Sequence, residues 1–450
     1  MNAIQKSKLP PGPKTKMPLG YFSSFRRDSI GFLRKIANEY GDIVQFKVGP
    51  IRVVLLNHPD FIKEVLTTQH HNFVKGRPLE LAKELLGEGL LTSEGEFHKR
   101  QSRMIQPAFH RRMIESYATA MTECIARMMK GWEEDMKVDM KEEMTKVSMV
   151  IAGKTMFNAD VEQEFHDINE SLETATKLFG RIHLPFSEWM LKLPLPSTFR
   201  FQRAKARLDD TIYRMIAERR RNEADHEDLL SILLRSQDEK GDEGGMTDQQ
   251  VRDEALTLFL TAFDTTSTAL TWTWYLLSQN PEAEAELHKE LDHVLQGRLP
   301  TVDDIPNLKY TRMVFGESMR IYPPSYVIPR QAVNDFAIDK YIVPAGSIIL
   351  LSPYLIHHDS RFHKDPETFN PHAWDEHSRG QHSKYEYFPF SGGPRACIGE
   401  PFAWMQGTLV LASVAQFWRA RLVPDHLVEL QQLINLRPKN GLKMTLHRRK

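Results

Sequence analysis

Cysteine is nearly absent: the 450-residue chain has two, Cys124 and Cys397. That count excludes a disulfide framework and a cysteine-rich zinc site. Charge of one sign is missing too. Lys and Arg number 59 and Asp and Glu 59, so no global field draws the chain to nucleic acid, and a charged partner must meet a local patch. Nowhere do about 18 apolar residues run together, as a membrane-spanning helix needs. Residues 1–20 are polar and proline-bearing, without the apolar stretch of a secretory leader. There is no internal repeat and no low-complexity tract. These absences point to an intracellular, cytoplasmic protein, although a chain trimmed of a membrane anchor would read the same.

What remains is material for a core. With 41% hydrophobic residues, a chain of this length can bury one large core holding cofactor-sized cavities. Leu9-Pro-Pro-Gly-Pro13 is too proline-rich for helix or sheet interior and reads as part of a rigid lead-in over residues 1–20. Asp42–Val48 and Ile51–Leu56, β-branched on both arms, flank Gly49-Pro50 and predict a β-hairpin. From Pro59 to about Arg235 helical patterns dominate, broken at Leu193-Pro-Leu-Pro-Ser197, and Ser236–Gly245 reads as a surface linker. Thr247 with Gln250 three residues on forms a capping box. The helix it opens runs to Asn280 and stops at Pro281, about 48 Å at 1.5 Å per residue. It is apolar on most sides (Leu256, Phe259, Leu260, Phe263, Leu270, Trp272), which places it in the middle of a core. The C-terminal third alternates short strands such as Ser347–Leu351 with proline-rich turns and ends in a helix after Cys397. The fold class is mainly α with a small β-rich region.

The loop Phe390-Ser-Gly-Gly-Pro-Arg-Ala-Cys-Ile-Gly399 concentrates the chemistry. Gly392 and Gly393 let backbone approach something closely. Cys397 stands just before a helical pattern (Phe402, Ala403, Met405, Leu409), whose N-terminal dipole favours thiolate over thiol, and Arg395 adds positive charge. An isolated cysteine is more often an inert buried side chain; Cys124, without such neighbours, fits that description. The neighbours of Cys397 reverse the reading. The segment fits F-x-x-G-x-R-x-C-x-G at every fixed position, Phe390, Gly393, Arg395, Cys397 and Gly399, and resembles the haem-binding signature of the cytochrome P-450 family. The resemblance implies that Cys397 is the axial ligand of haem b iron and that Arg395 contacts a haem propionate.

Further motifs follow in that family's order, over nearly the whole chain. Glu317 and Arg320, three apart on one helix face and followed by Tyr322-Pro-Pro324, look like the family's structural buttress behind the haem. Thr261-Ala-Phe-Asp-Thr-Thr266 lies mid-way along the long helix, where an unpaired carboxylate is costly. It resembles the acid–alcohol pair over the oxygen site: Thr265 would hydrogen-bond dioxygen, Asp264 would relay protons to it, and Ala262 would narrow the oxygen groove. His98 and Arg330 match residues that grip propionates. Three positions depart from the family pattern. Ser102 replaces an arginine, with Arg103 next door to compensate; Ala373, in Pro371-His-Ala-Trp374, replaces the arginine that completes the buttress, so either His372 substitutes or the pair stands alone; Gln406 is the third.

The resemblance implies the cytochrome P-450 fold as one haem domain over residues 1–450, with the long helix over the haem, acting as a monomer. The implied reaction inserts one atom of dioxygen into an apolar substrate and releases the other as water. Without an appended flavin or iron–sulfur module, electrons are expected from a separate ferredoxin, flavodoxin or reductase. Lys99, Arg100, Arg103, Arg111 and Arg112 make a basic cluster where such an acidic partner could dock. A peroxide-using or isomerising haem-thiolate enzyme is the alternative within the class, and a gas-binding haem protein the alternative outside it. The intact Asp264-Thr265 pair argues against the first, and the apolar segments near the iron against the second. Substrate-facing regions, placed by order along the chain, offer Phe179, Phe186, Phe259, Phe263 and Val327, a lining suited to fatty acids, terpenoids or steroids, with about half of such residues expected to be plain core. His357, His358, His363, His372, His377 and His382 crowd one region. Their loop setting and lack of i, i+4 spacing favour surface histidines over a metal site.

Overall fold

Gly49 turns the chain at φ +59°, a region in which side chains are strained, and the two arms on either side pair as expected, Val48 opposite Ile51. In the computed structural model, residues 9–17, 19–179, 193, 195–221, 228–236, 244–375 and 383–449 are described. Their strands run β1 (Ile43–Val48), β2 (Ile51–Leu56), β3 (Phe73–Val74), β4 (Lys137–Asp139), β5 (Ile328–Ala332) and β6 (Phe336–Ile338). There follow β7 (Tyr341–Val343), β8 (Ile348–Leu351), β9 (Trp418–Leu422), β10 (Leu430–Gln432), β11 (Leu436–Pro438) and β12 (Lys443–Arg448). The chain divides into two compact units, neither a continuous stretch. One comprises Met1–Glu80, Arg320–Thr368 and Glu376–Cys397; the other comprises Leu81–Met319, Phe369–Asp375 and Ile398–Lys450.

The first unit is built on a five-stranded sheet in the order β1-β2-β8-β5-β3. Strand β2 joins β8 in parallel, the other pairs being antiparallel. Alternate residues share a face, so Val54 and Leu56 of β2 lie with Ile349 and Leu351 of β8. With Ile43, Phe73 and Ile328 they form one buried apolar cluster. Arg320, 3% exposed, gathers three carbonyls of an irregular segment, donating to His357 at 2.8 Å, Pro366 at 2.7 Å and Thr368 at 3.0 Å.

The expectation of surface histidines fails here, because backbone carbonyls supply partners that sequence spacing does not reveal. His357 is fully buried; its Nδ1–H donates to the Arg320 carbonyl at 3.2 Å and its Nε2 accepts the Phe388 N–H at 3.1 Å. His358 donates from Nδ1 to the Tyr354 carbonyl at 2.8 Å and stacks on that tyrosine ring. His363 binds the Glu386 carbonyl at 2.9 Å. Burial, reinforced by His363 and Arg320, holds His357 well below the usual histidine range, and burial holds His358 down at about 3. His377 and His382 lie outside the described residues.

The second unit centres on the long helix, Asp248–Gln279, opened by the expected capping box: Thr247 Oγ1 accepts from the Gln250 N–H at 3.2 Å, and Gln250 Oε1 from the Thr247 N–H at 2.8 Å. Phe259 and Phe263 are 1% and 0% exposed and stack edge-on, Phe259 also meeting Phe157 of the helix Met140–Phe157. Burial along the middle of this helix is interrupted at Thr261, Ala262, Asp264 and Thr265, which are half-buried. A hairpin of β10 and β11 and a sheet in the order β4-β12-β9 complete the unit with the C-terminal helix Glu400–Phe417. Among the described residues no helix is long and apolar enough to cross a membrane.

Glu317 finds a side-chain donor by neither route expected for the buttress. Glu317, 1% exposed, accepts from the Trp374 indole N–H at 2.8 Å and from the Asn370 N–H at 3.0 Å. His372 instead turns outward to Glu286, at 2.9 Å. An indole N–H is a donor, as arginine is, and serves the buried acid without adding charge. Trp374→Phe should therefore destabilise the protein by about 1–3 kcal/mol in urea unfolding, since a buried acceptor oxygen loses its indole donor. His372→Ala should stay within about 0.5 kcal/mol of the parent.

The buried histidines give stability a pH dependence of known sign. A neutral histidine whose folded pKa is depressed takes up its proton more readily in the unfolded chain, so stability is complete above about pH 6.5 and is lost as pH falls toward 3. Each such histidine contributes a slope of about 1.4 kcal/mol per pH unit in that window. His358→Asn should flatten the loss of stability between pH 6.5 and 5, measured by urea midpoints at each pH; an unaltered slope would contradict the assignment.

Candidate functional site

The loop before Cys397 is shaped by a backbone-to-backbone approach. Residues Glu64–Thr68 form a π-helical turn, and a Cβ added at Gly393 would sit 1.8 Å from the Leu66 carbonyl oxygen. Gly393 also has φ +67°, so only glycine fits on both counts. At Gly392 a Cβ would lie 2.6 Å from the ring of Tyr385, whose hydroxyl is hydrogen-bonded to Thr67 Oγ1. Within the loop the Ala396 N–H reaches the Gly393 carbonyl at 3.0 Å and the Cys397 N–H the Phe390 carbonyl at 2.9 Å. A tight, internally bonded loop thus presents Cys397 exposed, with Arg395 and Phe390 half-buried beside it in sequence, while Gly399 caps the helix that starts at Glu400.

The other cysteine shows the contrast. Cys124 is 4% exposed, and burial pushes its thiol up to about 11, which makes it inert core as expected. In the same unit as Cys397, Arg330 lies on β5, 8% exposed, with Nη1 on the Pro329 carbonyl at 2.9 Å. An exposed soft thiol on a tight loop, with arginines in the same unit, is a donor set that fits haem iron and its propionates.

In the second unit, His98 is 8% exposed and donates from Nδ1 to the Leu90 carbonyl at 3.1 Å. Ser102 is half-buried and Arg103 exposed. Arg100 is not part of an exposed basic patch: it is 8% exposed and binds the Gly244 carbonyl at 2.8 Å. Lys99 and Arg111 are exposed and paired with Glu96 and Glu115, and Arg112 is exposed. Gln406 is fully buried, and neither amide atom finds a hydrogen-bond partner among the described residues.

Asp264 is not left unpaired. Asn435 Nδ2 donates to its Oδ2 at 2.5 Å and Arg437 Nη2 to its Oδ1. Sequence reasoning missed both, since no spacing connects residues some 170 positions apart; the available signal was the carboxylate itself, which an apolar helix cannot hold without donors. The Thr265 hydroxyl donates to the Thr261 carbonyl at 3.0 Å, inside the helix. Of the expected substrate residues, Phe259 and Phe263 turn out to be core, packed on the helix face that meets Phe157. The periodicity of an all-round apolar helix does not say which side is filled by protein. Val327 is half-buried; the Phe179 side chain and Phe186 lie outside the described residues.

A mainly helical chain with a cysteine loop of this shape, and with Asp264 and Thr265 in the longest helix among the described residues, fits a haem-thiolate enzyme. The model of one family, Cytochrome P-450, matches residues 10–444. The chain belongs to the cytochrome P-450 family. It is 36% identical to cyclooctatin synthase of Streptomyces melanosporofaciens, over 91% of this chain and 89% of that one. It is 31% identical to pentalenene oxygenase of Streptomyces avermitilis, over 90% of each. Carotene epsilon-monooxygenase of Arabidopsis thaliana is 30% identical over 93% of this chain and 81% of its own. The protein is accordingly a monooxygenase with a haem-thiolate cofactor, using dioxygen and a redox partner.

The glycine requirement is testable apart from turnover. Gly393→Ala must displace the Leu66 carbonyl or the loop. We expect haem bound per chain, measured as the pyridine haemochrome, to fall several-fold while far-ultraviolet circular dichroism stays near that of the parent. Full haem content would show that the approach is not a constraint.

Proposed function

We propose that the chain binds haem b through Cys397, with Arg395, Arg330 and His98 on the propionates, and oxidises an apolar substrate of terpenoid type. The observation that carries the reading is the exposed thiol of Cys397 on a loop that only Gly393 permits. Bound there, the haem supplies activation of dioxygen and insertion of one oxygen atom into a carbon–hydrogen bond. The chain's own residues handle protons and access. Asp264 holds and passes a proton, the Thr265 hydroxyl exchanges its bond to the Thr261 carbonyl for one to the oxygen site, and Ala262 narrows the groove beside it. Cyclooctat-9-en-7-ol 5-monooxygenase, 36% identical, and pentalenene oxygenase carry substrates in their names that support the terpenoid class. Residues 1–450 act as one haem domain, monomeric and cytoplasmic, reduced by a separate ferredoxin, flavodoxin or reductase that meets Lys99, Arg103, Arg111 and Arg112.

Two variants test this. Cys397→His should abolish the strongly red-shifted Soret band of the reduced carbon monoxide complex; an unchanged band would remove the ligand assignment. Thr265→Ala should bind substrate normally, read from the spin-state shift, yet yield roughly tenfold less product per electron, the balance appearing as peroxide or water. Unaltered product per electron would exclude the proton role, and turnover with peroxide alone but not with a redox chain would place the enzyme among its peroxide-using relatives.

A further inference from the structure

The long helix and the β10–β11 hairpin meet at Asp264, and the contact is more specific than packing requires. The two carboxylate oxygens have different donors, Arg437 Nη2 on Oδ1 and Asn435 Nδ2 on Oδ2, the latter at 2.5 Å. Asn435 closes the turn of the hairpin and Arg437 stands two residues on in β11, and both side chains reach the carboxylate. Between them, the Leu436 carbonyl accepts the Trp272 indole N–H at 2.8 Å. Trp272 stands eight residues beyond Asp264 on the same helix, about 12 Å along its axis, so the hairpin is anchored to the helix independently of the ion pair. Arg437 and Asp264 side chains are 13% and 18% exposed, far enough from water for the pairing to have directional force. For stability alone an apolar pair of similar volume would serve as well.

We propose that Arg437 and Asn435 are positioning residues for the oxidation, holding the Asp264 carboxylate in the one orientation from which it passes protons. The inference rests on the reading of Asp264 as the proton carrier. Two donors on separate oxygens fix the side-chain rotamer. A carboxylate offers about four lone-pair sites, so each oxygen keeps one for a water or hydroxyl along the proton's path. The orientation of the acid is therefore set from a strand some 170 residues away in the chain, not by the helix that carries it.

The test uses the haem-loaded enzyme and the single variants Arg437→Met, Arg437→Lys and Asp264→Asn, with the double variant Asp264→Asn/Arg437→Met. Arg437→Met should keep the carbon monoxide spectrum and the substrate spin-state shift while lowering product per electron at least threefold and raising the solvent deuterium isotope effect. Arg437→Lys, which keeps the charge but not the fork geometry, should fall between Met and the parent. Because the residue acts through the carboxylate, the double variant should be no worse than Asp264→Asn alone. In urea its midpoint should drop by less than the sum of the two single shifts. Parental product per electron in Arg437→Met, losses that multiply in the double variant, or strictly additive urea midpoints would each overturn the inference. Should Arg437→Met not accumulate with haem, Arg437→Lys decides: an intermediate loss supports positioning, and parental coupling overturns it. The two readings separate cleanly. If Asp264→Asn itself retains full product per electron, the proton-carrier reading fails and takes this one with it; if only Arg437→Met does, Asp264 stands and the positioning role alone is lost.

Discussion

The close approach of Gly393 to the Leu66 carbonyl is the contact on which the thiol's presentation depends. It needs a backbone without a side chain on one partner and an extra residue in the helical turn on the other. The ring of Tyr385 closes over Gly392, and its hydroxyl ties to Thr67 in that same turn. Phe388, three residues on from Tyr385, gives its N–H to His357, and His357 gives its own proton to the Arg320 carbonyl. Backbone polar groups buried this deeply must find partners. The irregular chain after 357 finds several of them through side chains, Arg320, His357 and His363 among them, rather than through regular secondary structure.

The second unit solves a related problem with charge. Its long helix is nearly all core, yet it carries Arg252 near one end and Asp264 near its middle. Arg252, 2% exposed, is met by Asp209, Asp253 and the Leu85 carbonyl at 2.9 Å. Asp264 is met by Arg437 and Asn435. Neither charge could be buried without several donors or acceptors, because desolvation would otherwise exceed the Coulombic gain. The first lies far from the half-buried stretch at Thr261–Thr265; the second lies within it.

Local rules went far in this chain because much of its structure is local. The hairpin at Gly49, the capping box at Thr247 and the stop at Pro281 each depend on neighbours a few residues away, and all three stand in the structure. The cysteine loop was legible as a motif, though nothing in it revealed that Leu66 is what Gly393 accommodates. Where partners are distant or are main-chain atoms, sequence reading failed. Spacing suggests surface positions for His357, His358 and His363, because carbonyl acceptors leave no trace in it. The family pattern calls for an arginine near Glu317 and so gives no hint of the Trp374 indole. Hydrophobicity at Phe259 and Phe263 does not distinguish a neighbouring helix from a ligand.

The π-helical turn at Glu64–Thr68 has a consequence for how this chain can be recombined. One residue inserted into helical pitch turns the following carbonyls by about 100°, and that turn lays the Leu66 oxygen against Gly393. The first eighty residues and the cysteine loop are thus matched parts of one joint. An exchange of N-terminal segments among relatives preserves the joint only if the inserted residue travels with the glycine. A crossover that supplies a regular helical turn would leave the loop intact in sequence and its seat missing.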